Sequence, residues 1–385
     1  MWKSVASNAL TLLIVGIFLL GGLVLWGKDQ YTGPGPLAEA ICVRVQPGAR
    51  MGSVTNDLEE KGAVTSASIM RIGADYSDKT DQLKAGSFLV QPGASMEEIV
   101  DIITRGGANS CGSQIIYRIG VTSAQAEVRD FDAATGRDVE KAEFDLSSDA
   151  PKPEDFTRLR NQSDTAYRVV VAEGVTSWQV VDALGRIDVM EGEIAGVPDE
   201  GSLAPDSYEV RVGDDRAALI DQMQAKQALI LADAWANRVE DLPYDSPEEA
   251  LIMASIIEKE TGVASERRQV ASVFVNRLNQ GMRLQTDPTV IYGITKGEGV
   301  LGRGLRRSEL DRETPYNTYV IPGLPPTPIA NPGRASIEAA MDPEQTDFIF
   351  FVADGSGGHA FAETLAEHNA NVAKWRQIEA ERANQ

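Results

Sequence analysis

The sequence predicts an α+β protein that begins with a single N-terminal transmembrane helix. Three observations carry this prediction. A charge-free run extends from Val5 to Gly27, a strand–glycine–helix pattern recurs in the first two thirds of the chain, and helix capping signals mark the last third. With 385 residues, of which 43% are hydrophobic, the chain is long and apolar enough for two or three folded units with buried cores.

The N-terminal run has the length and composition of a membrane-spanning helix. At about 1.5 Å per residue it spans the roughly 30 Å hydrocarbon layer. Lys3 precedes the run, and Trp2 and Trp26 stand where interfacial aromatic side chains are found. We therefore predict a cytoplasmic tip and anchor over residues 1–30 and export of the remainder. A cleaved signal peptide is the alternative, but such peptides have shorter apolar regions.

Charge and composition exclude several classes of function. The chain has 36 Lys and Arg residues against 57 Asp and Glu residues, a net charge of −21. Such a charge repels a phosphate backbone, so we expect no nucleic-acid partner. Two histidines and two cysteines are too few for most zinc and iron–sulfur sites. We predict neither a metal nor a cofactor.

The two cysteines allow two interpretations. Cys42 and Cys111 enclose about 70 residues. In an oxidising exported compartment they could form a stabilising disulfide, whereas two unpaired buried thiols are the alternative. The sequence leaves this choice open.

Four segments share a pattern in which alternating apolar residues precede a glycine and apolar residues recur four apart after it. The alternation is typical of a half-buried strand, and the later spacing is typical of one helix face. Each copy therefore predicts a strand, a turn and a helix that pack as a small α+β layer. The copies are VRVQPGARMGSVTNDL at Gly48, FLVQPGASMEEIVDII at Gly93, VVVAEGVTSWQVVDAL at Gly174 and YEVRVGDDRAALIDQM at Gly213.

Between the second and third copies, residues 112–166 have a different composition. The segment is rich in charged residues, contains Pro151 and Pro153, and shows little periodicity. We predict a polar insertion or linker with some strand content and assign it no chemistry.

The last third begins with two helices that have clear ends. Ser246 is a typical N-cap, Pro247 suits the first helical position, and Gly262 suits the stop, so a helix is predicted over about 247–261. A second helix is predicted from about 265 to 280. Turn-rich segments follow, then a short helix near 334–341, a strand over 348–354, a GSGGH hairpin turn and a final helix.

Glu260 is the strongest candidate for acid–base chemistry. At 100° per residue it falls inside the apolar arc of the first helix, whereas Glu258 falls outside it. Lost hydration and the negative end of the helix dipole both raise the pKa of a carboxyl group there, which prepares a general acid. The alternative is a rim glutamate whose stem covers the core, or one paired with Arg267 or Arg268.

The other candidates have weaker signals. Asp287 is interpreted either as a helix N-cap or as a second carboxylate of a site. Tyr316, Asn317 and Tyr319 lie close together and suit the faces and hydroxyls of a sugar, although buried tyrosines with bonded hydroxyls are commoner. His359 and His368 do not form an H-E-x-x-H motif, so no zinc site is predicted.

Five long motifs in the last third occur together and in a fixed order. They closely resemble those of the YceG-like family of endolytic murein transglycosylases. The resemblance is dense over about 247–370 and looser through APDSYEV and the first two repeats. The motifs are ASIIEKETGVASERRQVASVFVNRL, GMRLQTDPTVIYG, TPYNTY, GLPPTPIANPG and FFVADGSGGHAF.

The resemblance implies an organisation and a location. It implies a single-pass anchor in the bacterial inner membrane and a catalytic domain in the periplasm. It also implies a LysM-like α+β subdomain, placed at residues 31–111, and a C-terminal YceG-like catalytic domain, placed at 167–385. The 112–166 insertion departs from the family pattern.

The resemblance also implies an activity, a site and partners. The second glutamate of the family's E-K-E-T motif, its catalytic residue, falls on Glu260. The cleft residues that it makes plausible are Gln285, Asp287, Tyr316, Asn317 and Tyr319. The implied substrate is the glycan strand of nascent peptidoglycan, cut internally to leave 1,6-anhydro ends, and penicillin-binding peptidoglycan synthases are implied partners.

Three other functions are weighed against this one. A hydrolytic muramidase would use Asp287 to direct water. A noncatalytic scaffold would bind the cell wall through the repeats. A pyridoxal-phosphate lyase would need a Schiff-base lysine, and Lys259 lacks a phosphate-loop signature.

Overall fold

The computed structural model describes residues 2–105, 111–132, 135–160, 162 and 165–383. Helix α1, Trp2–Thr32, contains the predicted N-terminal segment. Its Thr11–Thr32 part has a mean hydropathy of 2.0, and its residues 11–26 are exposed. Among the described residues, α1 is the one helix long and apolar enough to cross a membrane. The predicted tip at Met1, and the side chains of residues 2–10, lie outside the description.

The chain divides into two compact units. The N-terminal unit contains Met1–Ile116, Glu127–Phe144 and Ala150–Tyr167. The C-terminal unit contains Tyr117–Ala126, Asp145–Asp149 and Arg168–Gln385. The sequence-based boundaries at 111 and 166 stay predictions.

The N-terminal unit contains a strand–helix–helix–strand module followed by a helix. Its two strands pair antiparallel, with Val43 opposite Phe88, and its helices cover the sheet with one apolar core. The buried residues alternate along the first strand and recur along the helices, as the predicted layers require. The elements are β1 Ile41–Val45, α2 Met51–Glu60, α3 Ala67–Tyr76, β2 Gly86–Val90 and α4 Met96–Arg105.

All four predicted repeats fold as strand, turn and helix. In each copy the strand ends three residues before the glycine and the helix begins three residues after it. The four glycines have φ between 72° and 87°, which is left-handed backbone that side chains disfavour. This conformation explains why a glycine stands at the same point of every copy. The elements of the last two copies are β6 Ala166–Val171 with α6 Ser177–Arg186, and β7 Ser207–Val210 with α7 Arg216–Ala236.

Cys42 and Cys111 form a disulfide, with their Cα atoms 5.8 Å apart. This pairing decides between the two interpretations that the sequence leaves open. It joins β1 to the chain after α4, just before the strand that begins at Gln114, and closes a separation of 69 residues.

The segment predicted as a polar insertion is more regular than expected. It provides three strands of a five-stranded sheet whose order is β5-β4-β3-β6-β7. Strand β5 is exposed along most of its length. Its residues are therefore mostly polar, and the sequence lacks the apolar pattern by which a strand is predicted. Residues 133–134, 161 and 163–164 of the segment lie outside the described part of the chain. The elements are β3 Gln114–Ile119, β4 Ala124–Asp132, β5 Arg137–Asp145 and α5 Glu154–Leu159.

Helix α8, Pro247–Glu260, lies at the centre of the C-terminal unit. The Ser246 side chain accepts a hydrogen bond from the Glu249 N–H, which confirms the predicted N-cap. Every residue from Ala250 to Ile257 is buried. The helix is therefore buried on all sides there, rather than along one arc as the helical wheel predicts.

The remaining helices and a hairpin surround α8. Helix α9 follows a single 3₁₀ turn, Ala264–Glu266, and so begins slightly later than predicted. The last two strands pair antiparallel, with Phe351 opposite Phe361, as the predicted GSGGH hairpin turn requires. The elements are α9 Arg267–Asn279, α10 Asp287–Thr295, α11 Arg307–Leu310, α12 Arg334–Met341, β8 Phe350–Ala353, β9 His359–Ala362 and α13 Leu365–Ala383.

Candidate active site

Glu260 is the last residue of α8, and its side chain is half-buried. Its Oε1 accepts a hydrogen bond from the Thr286 hydroxyl. Burial raises the pKa of the Glu260 carboxyl and is the largest cause of the shift. The charge of Asp287 raises the pKa further. The hydrogen bond from Thr286 and the charges of His359 and Arg277 lower it. The carboxyl group therefore holds its proton to a higher pH than an exposed glutamate does.

The Glu260 carboxyl opens onto a cavity of about 180 Å³. The walls combine two carboxyl groups, a guanidinium, a phenol, an amide, a threonine hydroxyl and three apolar side chains. They come from the ends of α8 and α10, the interior of α9, strand β8 and the loops between them. The lining residues are Glu260, Phe274, Arg277, Leu284, Gln285, Thr286, Asp287, Tyr319 and Phe351.

The loop before α10 determines the positions of the Gln285 and Thr286 side chains. Gln285 adopts a left-handed backbone with φ of 53°, which is uncommon for a residue with a side chain. The loop is held there because the Gln285 N–H donates to the Thr318 carbonyl at 3.2 Å and the Thr286 N–H donates to the Thr318 hydroxyl at 3.1 Å. The constrained turn places the Thr286 hydroxyl against Glu260.

Asp287 is not the N-cap of α10. The cap position is Thr286, and Asp287 is the first helical residue. Its Oδ1 accepts a 2.6 Å hydrogen bond from the Tyr319 hydroxyl. Burial, together with Asp287, raises the pKa of Tyr319, so this phenol stays protonated and continues to donate.

Tyr316 and Asn317 do not line the cavity. Asn317 is fully buried, and its side-chain amide donates to the carbonyls of Glu309, Leu310 and Arg312 at 2.6–3.2 Å. Its Oδ1 accepts from the Tyr319 N–H at 3.0 Å, so Asn317 fixes the backbone that carries a lining residue. The Tyr316 and Thr327 hydroxyls share an exposed hydrogen bond of 2.8 Å, so Tyr316 is not the buried tyrosine of the alternative interpretation.

Comparison with known proteins gives this geometry a context. The sequence profile of the YceG-like family matches residues 116–374, well over half of the chain. The chain belongs to the YceG-like family. This finding confirms the resemblance that the motifs of the last third indicate.

Three relatives of this YceG-like chain illustrate the similarity. The endolytic murein transglycosylase of Bacillus subtilis (strain 168) is 27% identical over 361 residues, which are 93% of this chain and 91% of that protein. That of Streptococcus pneumoniae (strain D39) is 27% identical over 344 residues, 87% of this chain and 58% of the longer relative. A YceG-like protein of Listeria monocytogenes, known from a crystal structure, is 27% identical with a TM-score of 0.46, covering 86% of this chain and 98% of that one.

Sequence reasoning missed Arg277, the cation of the cavity in this YceG-like chain. Its Nη1 donates to the Leu284 carbonyl at 2.5 Å and its Nε donates to the Ile349 carbonyl at 2.7 Å. The side chain therefore ties the loop that precedes α10 to the residue just before β8, and burial lowers the pKa of Arg277. An arginine among the buried apolar residues of α9 was the available signal.

The two histidines of the YceG-like chain lie in different environments. His359 Nδ1 lies 2.8 Å from Glu266 Oε2, and its ring meets Phe351 edge-on. His368 stacks on Phe350. Among the described residues, no three His, Cys, Asp or Glu side chains group so that they could hold a metal ion.

Proposed function

We propose that this chain is an enzyme that cuts the glycan strands of peptidoglycan internally, as an endolytic lytic transglycosylase. One observation carries the proposal: Glu260, a carboxyl with a raised pKa, faces a cavity whose other walls offer hydrogen bonds to a sugar. The family and the names of the two murein transglycosylase relatives support the same substrate class.

The proposed reaction uses Glu260 twice. Its O–H proton passes to the oxygen that links N-acetylmuramic acid to N-acetylglucosamine, and the bond from that oxygen to the muramyl C1 breaks. The carboxylate then takes the proton of the muramyl C6 hydroxyl while O6 bonds C1, which closes a 1,6-anhydro ring. No water is consumed, so the second carboxylate of ordinary glycosidases is not needed.

The neighbours of Glu260 have separate roles in this proposal. Thr286 occupies Oε1, which leaves Oε2 for the sugar. The Gln285 amide and the Asp287–Tyr319 pair line the cavity, and in this proposal they bind hydroxyl and amide groups of the glycan. Asn317 acts indirectly, by accepting a hydrogen bond from the Tyr319 N–H, and the bond between the Tyr316 and Thr327 hydroxyls holds the same segment.

A hydrolytic muramidase is the second candidate, because Asp287 lines the same cavity and could orient a water molecule. Digestion of purified peptidoglycan by the full chain, followed by mass spectrometry, separates the two reactions. We expect strand ends that carry 1,6-anhydro-N-acetylmuramic acid. Reducing ends one water heavier would instead assign hydrolysis, and intact strands would leave only a noncatalytic wall-binding scaffold.

Replacing Thr286 by valine is expected to shift the pH dependence of cleavage. The hydroxyl bond lowers the pKa of Glu260, so its loss lets the carboxyl stay protonated to a higher pH. Because the protonated form starts the reaction, the alkaline limb of kcat/KM moves to higher pH. Thr286→Ser retains the hydroxyl and serves as the control; equal limbs in Thr286→Val and the unaltered chain would contradict the assigned contact.

We also propose that α1 anchors the chain once in the bacterial inner membrane, with both units in the periplasm. The apolar length of α1 supports the anchor, and the Cys42–Cys111 disulfide supports an oxidising compartment. We assign the β1-α2-α3-β2 module as the LysM-like subdomain that binds the cell wall.

We further propose that internal cuts end strand elongation, and that penicillin-binding synthases, which extend the strands, are the protein partners. Copurification of a tagged full chain with crosslinked synthases tests this part. A crosslinked sample without synthases would contradict the proposed partnership and would leave the proposed cleavage reaction unaffected.

A further inference from the structure

Helix α1 continues beyond its apolar run. Trp26 is the last large apolar residue, Lys28 is the first charged residue after the run, and the helix ends at Thr32. At about 1.5 Å per residue, Gln30 and Tyr31 lie roughly 5–6 Å past Gly27 along the axis. The headgroup layer on each side of a bilayer is about 5–8 Å thick. Given the proposed anchor, Gln30 and Tyr31 therefore lie at headgroup depth.

Helix α3 packs against α1 at this depth. The Thr65 hydroxyl, just before α3, lies 3.5 Å from Gln30 Oε1. The Tyr31 ring lies against the backbone of Gly73, where a Cβ atom would come within 2.2 Å of the ring. Since both contacts are made by adjacent residues of one helix, they fix α3 at the level of the headgroups.

At that level α3 exposes an apolar pair. Ile72 is 69% exposed and Tyr76, one turn later, is 93% exposed. The buried side of α3, formed by Ala67, Met70 and Ala74, lies on the opposite face. Ile72 directly precedes Gly73 and Tyr76 follows it by three residues, so the apolar pair flanks the residue of α3 that packs against Tyr31.

We propose that α3 rests on the periplasmic surface of the lipid bilayer through Ile72 and Tyr76, as a second membrane contact. The position of α3 at headgroup level and the chemistry of its exposed pair both indicate that the pair contacts lipid. A residue at headgroup level meets lipid, and a tyrosine ring with its hydroxyl suits that boundary. The contact continues the surface of the proposed anchor, and it prevents the N-terminal unit from swivelling about α1.

Spin labelling of the full chain tests this contact. Both cysteines of the sequence are in the disulfide, so a cysteine introduced at one position is the single site for a nitroxide. The chain is reconstituted in vesicles of phosphatidylethanolamine and phosphatidylglycerol, and collisions of the nitroxide with oxygen and with a water-soluble nickel complex are measured. We expect Ile72→Cys to show a several-fold higher oxygen-to-nickel ratio than Leu229→Cys, an apolar control position of α7 that is 73% exposed.

A third label separates this inference from the proposal on which it rests. Leu19→Cys lies within the apolar run of α1 and is expected to report lipid. Lipid at Leu19 with a water-like ratio at Ile72 would overturn the α3 contact alone. A water-like ratio at Leu19 would overturn the anchor and the α3 contact together. Glycan cleavage is measured independently, because neither Ile72 nor Leu19 belongs to the site at Glu260.

Discussion

The Glu260→Gln variant is expected to lose glycan cleavage by about 10³-fold or more. Glutamine keeps the size of the side chain and accepts the Thr286 hydrogen bond, but it cannot donate a proton to the glycosidic oxygen. General acid–base catalysis by a positioned side chain contributes typically 10²–10⁴-fold, and here one group performs both steps. Release of anhydro-terminated fragments from purified glycan strands is the measurement.

Glu258→Gln is the matched control for this experiment. Glu258 lies two residues earlier on α8, and its carboxylate accepts from the Gly333 N–H at 3.1 Å rather than lining the cavity. The control is expected to retain cleavage within a few-fold. Equal losses in the two variants would point to damage to α8, and retained cleavage in Glu260→Gln would remove Glu260 from the mechanism.

The Glu260→Gln substitution is also expected to stabilise the folded protein at neutral pH. Because the folded-state pKa of Glu260 lies above its ordinary 4.5, folding favours the protonated form. That contribution is complete below pH 4.5 and is lost as pH rises through the folded-state pKa. Above it, the native chain keeps an ionised carboxyl in a desolvated place, whereas glutamine does not. Thermal unfolding should therefore show a higher Tm for Glu260→Gln at pH 7.5, and a smaller difference at pH 4.

Removing the disulfide is expected to destabilise the N-terminal unit by roughly 4 kcal/mol. The bond closes a separation of 69 residues, and in the chain-entropy model a loop of that length restricts the unfolded chain by about this amount. The Cys42→Ala, Cys111→Ala double variant should unfold at a lower urea concentration, by about 1–4 M at typical slopes. Circular dichroism of the full chain in detergent micelles follows the transition.

Reducing agent provides the control for the disulfide. It should lower the urea midpoint of the unaltered chain to that of the double variant and leave the double variant unchanged. An unchanged midpoint in the reduced, unaltered chain would show that the cross-link does not restrict the unfolded state as proposed.

The repeats show how far local pattern determines structure. A period of two, a glycine and a period of about 3.6 are each set by neighbouring residues, and all four copies fold as they predict. The glycine positions follow because a left-handed turn is a local requirement of the backbone. The Ser246–Pro247 start of α8 is predictable for the same reason.

Strands β4 and β5 show where local pattern fails. The charged sequence of β5 lacks the alternation of a half-buried strand along most of its length, and the sequence predicts the segment that contains both strands as an insertion with some strand content. An exposed strand is held by hydrogen bonds to its neighbour, which the sequence of the strand itself does not record.

In the site, too, some features are predictable from neighbouring residues and others depend on tertiary contacts. The wheel places Glu260 in an apolar arc, yet α8 is buried on all sides, so the arc does not separate Glu260 from Glu258. Glu260 differs from Glu258 because it lines the cavity, where burial raises its pKa. Among the candidates of the last third, Gln285, Asp287 and Tyr319 line the cavity, whereas Tyr316 and Asn317 do not; Asn317 accepts from the Tyr319 N–H instead.

The sequence by itself determined the apolar helix, the four layers, the ends of α8 and the family, because each depends on residues that are neighbours along the chain. Only the tertiary structure decided the disulfide, the place of Arg277 and the membership of the cavity wall. These depend on residues far apart in sequence, such as Glu260, Thr286 and Tyr319, whose meeting is set by how the helices and loops pack.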